Sequence, residues 1–134
     1  MMMAWETIRQ AARRAAERAY APYSHYPVGA AAVTSTGQLI TGCNVENASF
    51  GLTLCAECGL VSALALSGGG RLVQFTCVDQ AGQIITPCGR CRQLLYEHGG
   101  AELRLLTPAG EVSLGDLLGQ AWGPRDLEAS HDNL

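Results

Sequence analysis

The chain has 134 residues, enough for one domain with a packed interior and too few for two independent ones. Almost half are hydrophobic (48%), so a core is attainable without disulfide staples, and a formal net charge of −3 argues against steering onto a nucleic-acid polymer. All nine cationic residues are arginine, which closes lysine chemistry: neither a Schiff base nor a phosphate-binding P-loop can be built.

From Trp5 to Tyr20 the apolar positions Trp5, Ile8, Ala12, Ala15, Ala16 and Ala19 recur at helical spacing, with Arg9, Arg13, Arg14 and Arg18 mostly off the stripe. The spacing predicts a helix with a solvated basic face. Pro22 and Pro27 then forbid helical continuation through the aromatic loop Ala21–Pro27. Val28–Thr34 and Leu39–Val45 are β-compatible runs joined around Thr36-Gly37, an antiparallel hairpin. Gly29 and Ala30-Ala31-Ala32 are weak strand formers, and such small side chains imply that something packs closely against that strand. Asn44–Leu52 reads as a polar turn region, followed by an N-cap at Thr53 and a helix from Cys55 to about Ser67 that Gly68-Gly69-Gly70 ends.

Leu72–Val78 is a buried strand, and Gly82, Ile84 and Ile85 lead to Pro87, placed at the start of a helix running to about His98. Leu103–Leu106 and Glu111–Ser113 read as strands about a turn at Pro108-Ala109-Gly110, and Leu114–Leu118 as a helical turn. A tail from Gly119 carries Trp122 and Pro124. This order predicts a single domain over 1–134, a three-layer α/β/α sandwich on a mixed sheet of about five strands, with 1–4 and 128–134 as frayed ends.

Six cysteines suit a disulfide framework only in a small exported domain. The first twenty residues lack the apolar centre of a signal peptide, Glu6 and Glu17 interrupt the acid-poor composition of a transit peptide, and no apolar run approaches a membrane span. A cytoplasmic protein with no membrane partner is expected.

The stretch Cys55-Ala56-Glu57-Cys58, read with Pro87-Cys88-Gly89-Arg90-Cys91-Arg92-Gln93, carries the chemistry. Cys55, Cys88 and Cys91 can hold one zinc ion, and Glu57 is a carboxylate not needed as a ligand; three protein ligands leave a position for water whose protons Glu57 can move. Both helix starts favour thiolates. Three thiolates on zinc leave the cluster negative, so a nearby cation is needed, and Arg90 or Arg92 can supply it. The same residues also form two Cys-x-x-Cys knuckles, Cys55/Cys58 and Cys88/Cys91, which would make a closed, noncatalytic four-thiolate module. Cys43 and Cys77 read as small buried hydrophobes. Taken alone, Asn44 and Glu46 are turn residues and Trp122 is a core anchor.

Ala21-Pro22-Tyr23-Ser24-His25-Tyr26-Pro27-Val28-Gly29-Ala30-Ala31, Gly42-Cys43-Asn44-Val45-Glu46-Asn47-Ala48-Ser49, Cys55-Ala56-Glu57 and Pro87-Cys88-Gly89-Arg90-Cys91-Arg92-Gln93 together closely resemble the small homotetrameric cytidine deaminases, over nearly the whole chain and in the family's order. The cysteine and glutamate spacing is the known zinc-deaminase signature, matched here rather than deduced. The resemblance implies hydrolytic deamination of cytidine or deoxycytidine to uridine or deoxyuridine with release of ammonia, one zinc per subunit on Cys55, Cys88 and Cys91, and Glu57 as the proton shuttle. It further implies that Asn44 and Glu46 meet the sugar hydroxyls and that Tyr26 stacks on the base where Phe is usual. Ala56 joins the substrate contacts, and neighbouring subunits complete each site through Ala48, Phe50 and Trp122.

Three departures stand out. The family commonly has Arg after Cys-Ala-Glu, and this chain has Cys58; Arg90 stands where most members carry Ala. In both respects the chain resembles the related blasticidin S deaminases, so deamination of a modified cytosine nucleoside is the alternative within the same chemistry. Arg90 is expected to replace the missing cation. Phe50 stands where many members have Tyr, which removes one hydroxyl contact to the sugar.

Overall fold

The computed structural model describes residues 2–132; Met1, Asn133 and Leu134, which fall within the ends expected to fray, lie outside them. The chain starts with α1 (Trp5–Ala16) and the hairpin β1 (Val28–Thr34) and β2 (Leu39–Cys43), followed by a short 3-10 turn at Phe50–Leu52 and α2 (Ala56–Leu66). Then come β3 (Leu72–Asp79), β4 (Ile84–Ile85), α3 (Gly89–Gly99), β5 (Arg104–Thr107), β6 (Gly110–Ser113), α4 (Leu114–Leu117) and α5 (Pro124–Asp132).

The sheet runs β2-β1-β3-β5-β6, antiparallel except for the parallel β3–β5 pair, so it is mixed as expected. Among the described residues the sheet holds six strands, five along this path and a sixth beside it. The extra one is Ile84–Ile85, which folds back on Cys77 and Val78 of β3, while β5 pairs with Gln74 and Phe75 at the other half of that strand. Two isoleucines alone are too short a run to declare a strand; the edge of β3 supplies the partner.

Alternation along β1 sends its residues to two separate cores. Ala31 and Val33 pack with Ile8, Ala11 and Ala12 of α1 on one face. Ala30 and Ala32 face the other way, into a core with Leu60 and Leu64 of α2, Leu95 of α3, Phe75 and Cys77. The small residues of β1 let both layers approach. A Cβ on Gly29 would lie 1.8 Å from the Ala12 carbonyl oxygen of α1, and one on Gly42 in β2 would lie 2.4 Å from the Ala56 carbonyl oxygen of α2. The close approach inferred from the alanine run is therefore real on both sides of the hairpin.

Several boundaries differ from the sequence expectation. α1 ends at Ala16 instead of Tyr20, because Tyr20 is drawn into a bridge beside Val45: its N–H donates to the Asn44 carbonyl and its carbonyl accepts from Glu46 N–H. β2 stops at Cys43, where this bridge takes over. Thr53 is not the N-cap of α2; Cys55 occupies that position, and the Thr53 hydroxyl accepts from Asn47 N–H. Pro87 likewise sits one residue ahead of the N-cap of α3, which is Cys88. At the start of the chain, Met3 is pinned rather than frayed, since its N–H and carbonyl both bond the buried Gln74 side chain at 2.8 and 2.9 Å. Residues 128–132 continue α5. Among the described residues, no helix is long and apolar enough to cross a membrane.

Candidate metal and active site

Helices α2 and α3 pack against each other on the same face of the sheet, and their N-termini bring the cysteine motifs together. Cys55 is the N-cap of α2, Cys88 is the N-cap of α3, and Cys91 lies in the first turn of α3. The ligand atoms of Cys55, Cys88 and Cys91 all lie within 4.8 Å of one another, although 33 residues separate Cys55 from Cys88. Zinc–thiolate bonds of about 2.3 Å place tetrahedral sulfurs about 3.8 Å apart, so the donor set fits zinc. Cys58 stands outside this group; its sulfur instead faces the Arg90 guanidinium, at 3.9 Å from Nη2. This grouping favours three thiolates on the metal over the four-thiolate module, with Cys58 facing the arginine.

The thiols sit in unlike surroundings. Backbone N–H donation from Cys91 holds the Cys88 thiol below its usual range. Burial pushes the Cys55 thiol up, with a hydrogen bond to Cys91 pulling it partly back. Burial also pushes Cys91 up strongly, reinforced by the charge of Glu57. A divalent cation among them relieves this mutual repulsion, which is the chemical sense of the fit.

Glu57, the second residue of α2, is 4% exposed. Burial raises its carboxyl above the ordinary range, against hydrogen bonds from the Cys91 thiol and its own backbone N–H. A carboxyl raised in this way is suited to act as base and then acid in one turnover. A cleft of about 220 Å³ opens over this group, lined by Cys55, Ala56, Glu57 and Cys88 together with Asn44 and Thr53. Its remaining walls come from Val28, Cys77, Ile85, Thr86 and Pro87.

A profile of the cytidine and deoxycytidylate deaminase zinc-binding region matches residues 2–107. The chain belongs to the cytidine and deoxycytidylate deaminase family. A cytidine deaminase of Mycobacterium tuberculosis is 55% identical over 123 residues, 92% of each chain. The crystal structure of cytidine deaminase from Mycobacterium leprae superposes with a TM-score of 0.87 at 56% identity, covering 89% of this chain and all of that one. That of Burkholderia pseudomallei gives 0.79 at 41% identity, covering 90% of this chain and all of that one. This deaminase is therefore an enzyme on an α/β fold shared with those structures, with a cysteine cluster that fits one zinc per subunit.

The other residues singled out from the deaminase sequence fall in three places. Asn44 and Ala56 line the cleft with Glu57. Asn44 is far from a plain turn residue: its Oδ1 accepts from Val28 N–H and its Nδ2 donates to the Tyr26 carbonyl. Glu46 and Phe50 line a second hollow of about 410 Å³ with Tyr23, Ser24, Asn47 and Thr53, and Thr53 forms part of both walls. Tyr26, Ala48 and Trp122 line neither. Trp122 is 60% exposed, so it is no core anchor.

Sequence reasoning missed several contributors. Cys77 is buried as expected, yet it also forms part of the cleft wall and donates to the Ile85 carbonyl, while Cys43 is only half-buried. Arg92, one of the two candidate cations, donates from Nε to the Pro87 carbonyl and from Nη1 to the Leu117 carbonyl, bracing the loop that presents Cys88. Gln93 donates to the Trp122 carbonyl at 2.8 Å and pins the tail to α3. Their place directly after the Pro-Cys-x-x-Cys motif was the available signal.

Proposed function

We propose that this enzyme deaminates cytidine and deoxycytidine to the corresponding uridines, releasing ammonia, as part of pyrimidine salvage. The observation that carries the reading is one buried carboxyl, Glu57, on the floor of a cleft beside three converging thiols. Cys55, Cys88 and Cys91 would hold a zinc ion, which when bound supplies the Lewis acidity that makes water nucleophilic near neutral pH. Glu57 accepts a proton from water and hands it to N3 of the cytosine as oxygen adds to C4; it then takes up the proton of the new C4 hydroxyl and passes it to the amino nitrogen, so that the C4–N bond breaks, ammonia leaves and the C4 carbonyl forms. Arg90, reaching across to Cys58 from α3, supplies the positive charge that the cluster needs.

Asn44 and Glu46 would receive the sugar hydroxyls, with Ala56 at the base and Tyr26 against the ring. Phe50, Trp122 and Tyr26 expose 75%, 60% and 50% of their surface, and Leu52 exposes 65%. Aromatic exposure on this scale favours a homotetramer in which Ala48, Phe50 and Trp122 complete the sites of neighbouring subunits. The whole chain acts as one domain. Six unpaired thiols favour the reducing cytoplasm, and the net charge of −3 favours a free nucleoside over a nucleic-acid polymer.

The test is direct: zinc-loaded protein is mixed with cytidine, and the loss of cytosine absorbance and the ammonia released are followed. Turnover with one ammonia per uridine is expected. Zinc-loaded protein inactive on cytidine and deoxycytidine but active on blasticidin S would move the reading to a modified nucleoside, and inactivity on all three would refute it. Sedimentation of the enzyme at working concentration tests the tetramer.

A further inference from the structure

The loop between α1 and β1 is organised around Glu46. Glu46 Oε1 accepts from Tyr23 N–H at 2.9 Å and Ser24 N–H at 3.1 Å, and Oε2 accepts from the Ser24 hydroxyl. The same hydroxyl accepts from Tyr26 N–H at 3.1 Å, and the Tyr26 carbonyl is in turn held by Asn44 Nδ2 at 3.0 Å. An unbroken chain of hydrogen bonds therefore runs from Glu46 through Ser24 and Tyr26 to Asn44 at the cleft. An ionised carboxylate offers about four acceptor sites, and the protein occupies three; the one left lies on Oε2, the oxygen that Ser24 fixes. His25, between Ser24 and Tyr26, adopts a left-handed backbone with φ 57°, a conformation a non-glycine residue keeps only where its surroundings over-determine it.

We propose that Ser24 is a positioning residue for the sugar end of the site, holding the Glu46 carboxylate with its last acceptor free for a sugar hydroxyl and coupling it to the Tyr26 backbone. This rests on the reading of Glu46 as a sugar contact. Ser24 sets binding of the sugar hydroxyls and takes no part in the proton transfers, which belong to Glu57 in the neighbouring hollow. The hydrogen bond from Ser24 is also the largest influence keeping the Glu46 carboxyl below its ordinary range, so the acceptor stays charged.

The experiment compares kcat and KM for cytidine and for 2′,3′-dideoxycytidine, which lacks the two secondary sugar hydroxyls, in wild type, Ser24→Ala, Ser24→Thr and Glu46→Ala. Ser24 is exposed, so removing its oxygen leaves the core intact, and zinc content and circular dichroism check each variant. Ser24→Ala is expected to raise KM for cytidine about tenfold, with kcat held and KM for the dideoxy substrate unchanged, so that the preference for cytidine falls by the same factor. Ser24→Thr, which keeps the hydroxyl, restores that preference. Equal loss on both substrates in Ser24→Ala overturns the proposal, and so does a wild-type preference in Ser24→Ala where Glu46→Ala has lost it. A wild-type preference in Glu46→Ala refutes the sugar role of Glu46 itself, and the proposal for Ser24 falls with it.

Discussion

Gly42 joins the fold to the chemistry, and Gly42→Ala probes both together. The added Cβ would lie 2.4 Å from the Ala56 carbonyl oxygen and 2.4 Å from Leu60 N, where ordinary contact begins at 3.4 Å. Both obstacles are backbone atoms of α2, so no side-chain rotation relieves them; the helix must retreat from β2 by about 1 Å. Overpacking of this kind costs about 1–3 kcal/mol, and with backbone on both sides the upper end applies. The retreat shifts Cys55 and Glu57 relative to Cys88 and Cys91 at the start of α3. A displacement of about 1 Å at a reacting group costs about 100-fold in rate.

Gly29→Ala is the matched control, because its Cβ would meet the Ala12 carbonyl oxygen at 1.8 Å on the opposite face of the sheet. It should destabilise at least as much, by about 3 kcal/mol, while the folded fraction turns over cytidine at nearly the wild-type rate. Urea unfolding of the zinc-loaded variants gives the stability change, and single-turnover rates normalised to folded, zinc-bound protein give the chemistry. If Gly42→Ala unfolds at the wild-type midpoint, or if both variants lose the same fraction of their rate per folded molecule, the coupling of the β2–α2 contact to the site is wrong.

Other perturbations separate the roles within the cluster. Glu57→Gln should keep one zinc per chain and lose at least about 100-fold in turnover; metal analysis beside the absorbance assay measures both, and a fully active variant removes Glu57 from the mechanism. Cys58→Ser should retain its zinc in competition with a chelator while Cys88→Ser loses it, and equal losses would return Cys58 to the ligand set. Arg90→Ala should lower turnover about tenfold with the unfolding midpoint unchanged, and undiminished turnover would show that the cluster needs no cation from α3. The Ser24 hydroxyl keeps the folded pKa of Glu46 below its ordinary value, so its clamp on the loop is complete above the ordinary carboxylate range and is lost only as pH falls through the lowered value. Amide chemical shifts of Tyr23 and Ser24 followed against pH should hold through that range and move below it; a midpoint at or above the ordinary value contradicts the bonding described.

Much of the architecture was legible because it is written in local pattern. The run Val28-Gly29-Ala30-Ala31-Ala32 announced a closely packed strand before any partner was known, and the helices carrying Cys55 and Cys91 lie within a residue or two of where their caps and glycines put them. What was not legible depends on partners distant in sequence. Ile84–Ile85 becomes a strand only beside β3, and Tyr20 leaves its helix only because Asn44 and Glu46 take up its backbone. At the site, residue types and spacing marked Cys55, Glu57, Cys88 and Cys91, since metal ligation and proton transfer restrict which side chains can serve. Cys77, Ile85 and Thr86 carry no such restriction and came into view only as walls of the cleft.

By itself, the order of residues narrowed the chemistry to four sulfurs and one carboxyl, with arginine in place of lysine as the cation beside them. Spacing alone left two zinc arrangements standing, with three sulfurs or with four, because Cys58 is as well spaced from Cys55 as Cys91 is from Cys88, and the resemblance to the cytidine deaminases favoured three. Tertiary packing also favours three. The docking of α2 on β2 through Gly42, and of α3 beside α2, sets the direction in which each side chain leaves its helix, and from those directions Cys91 joins the cluster while Cys58 meets Arg90. Spacing along a helix fixes which residues share a face, but only the packing of one helix against another decides what that face meets.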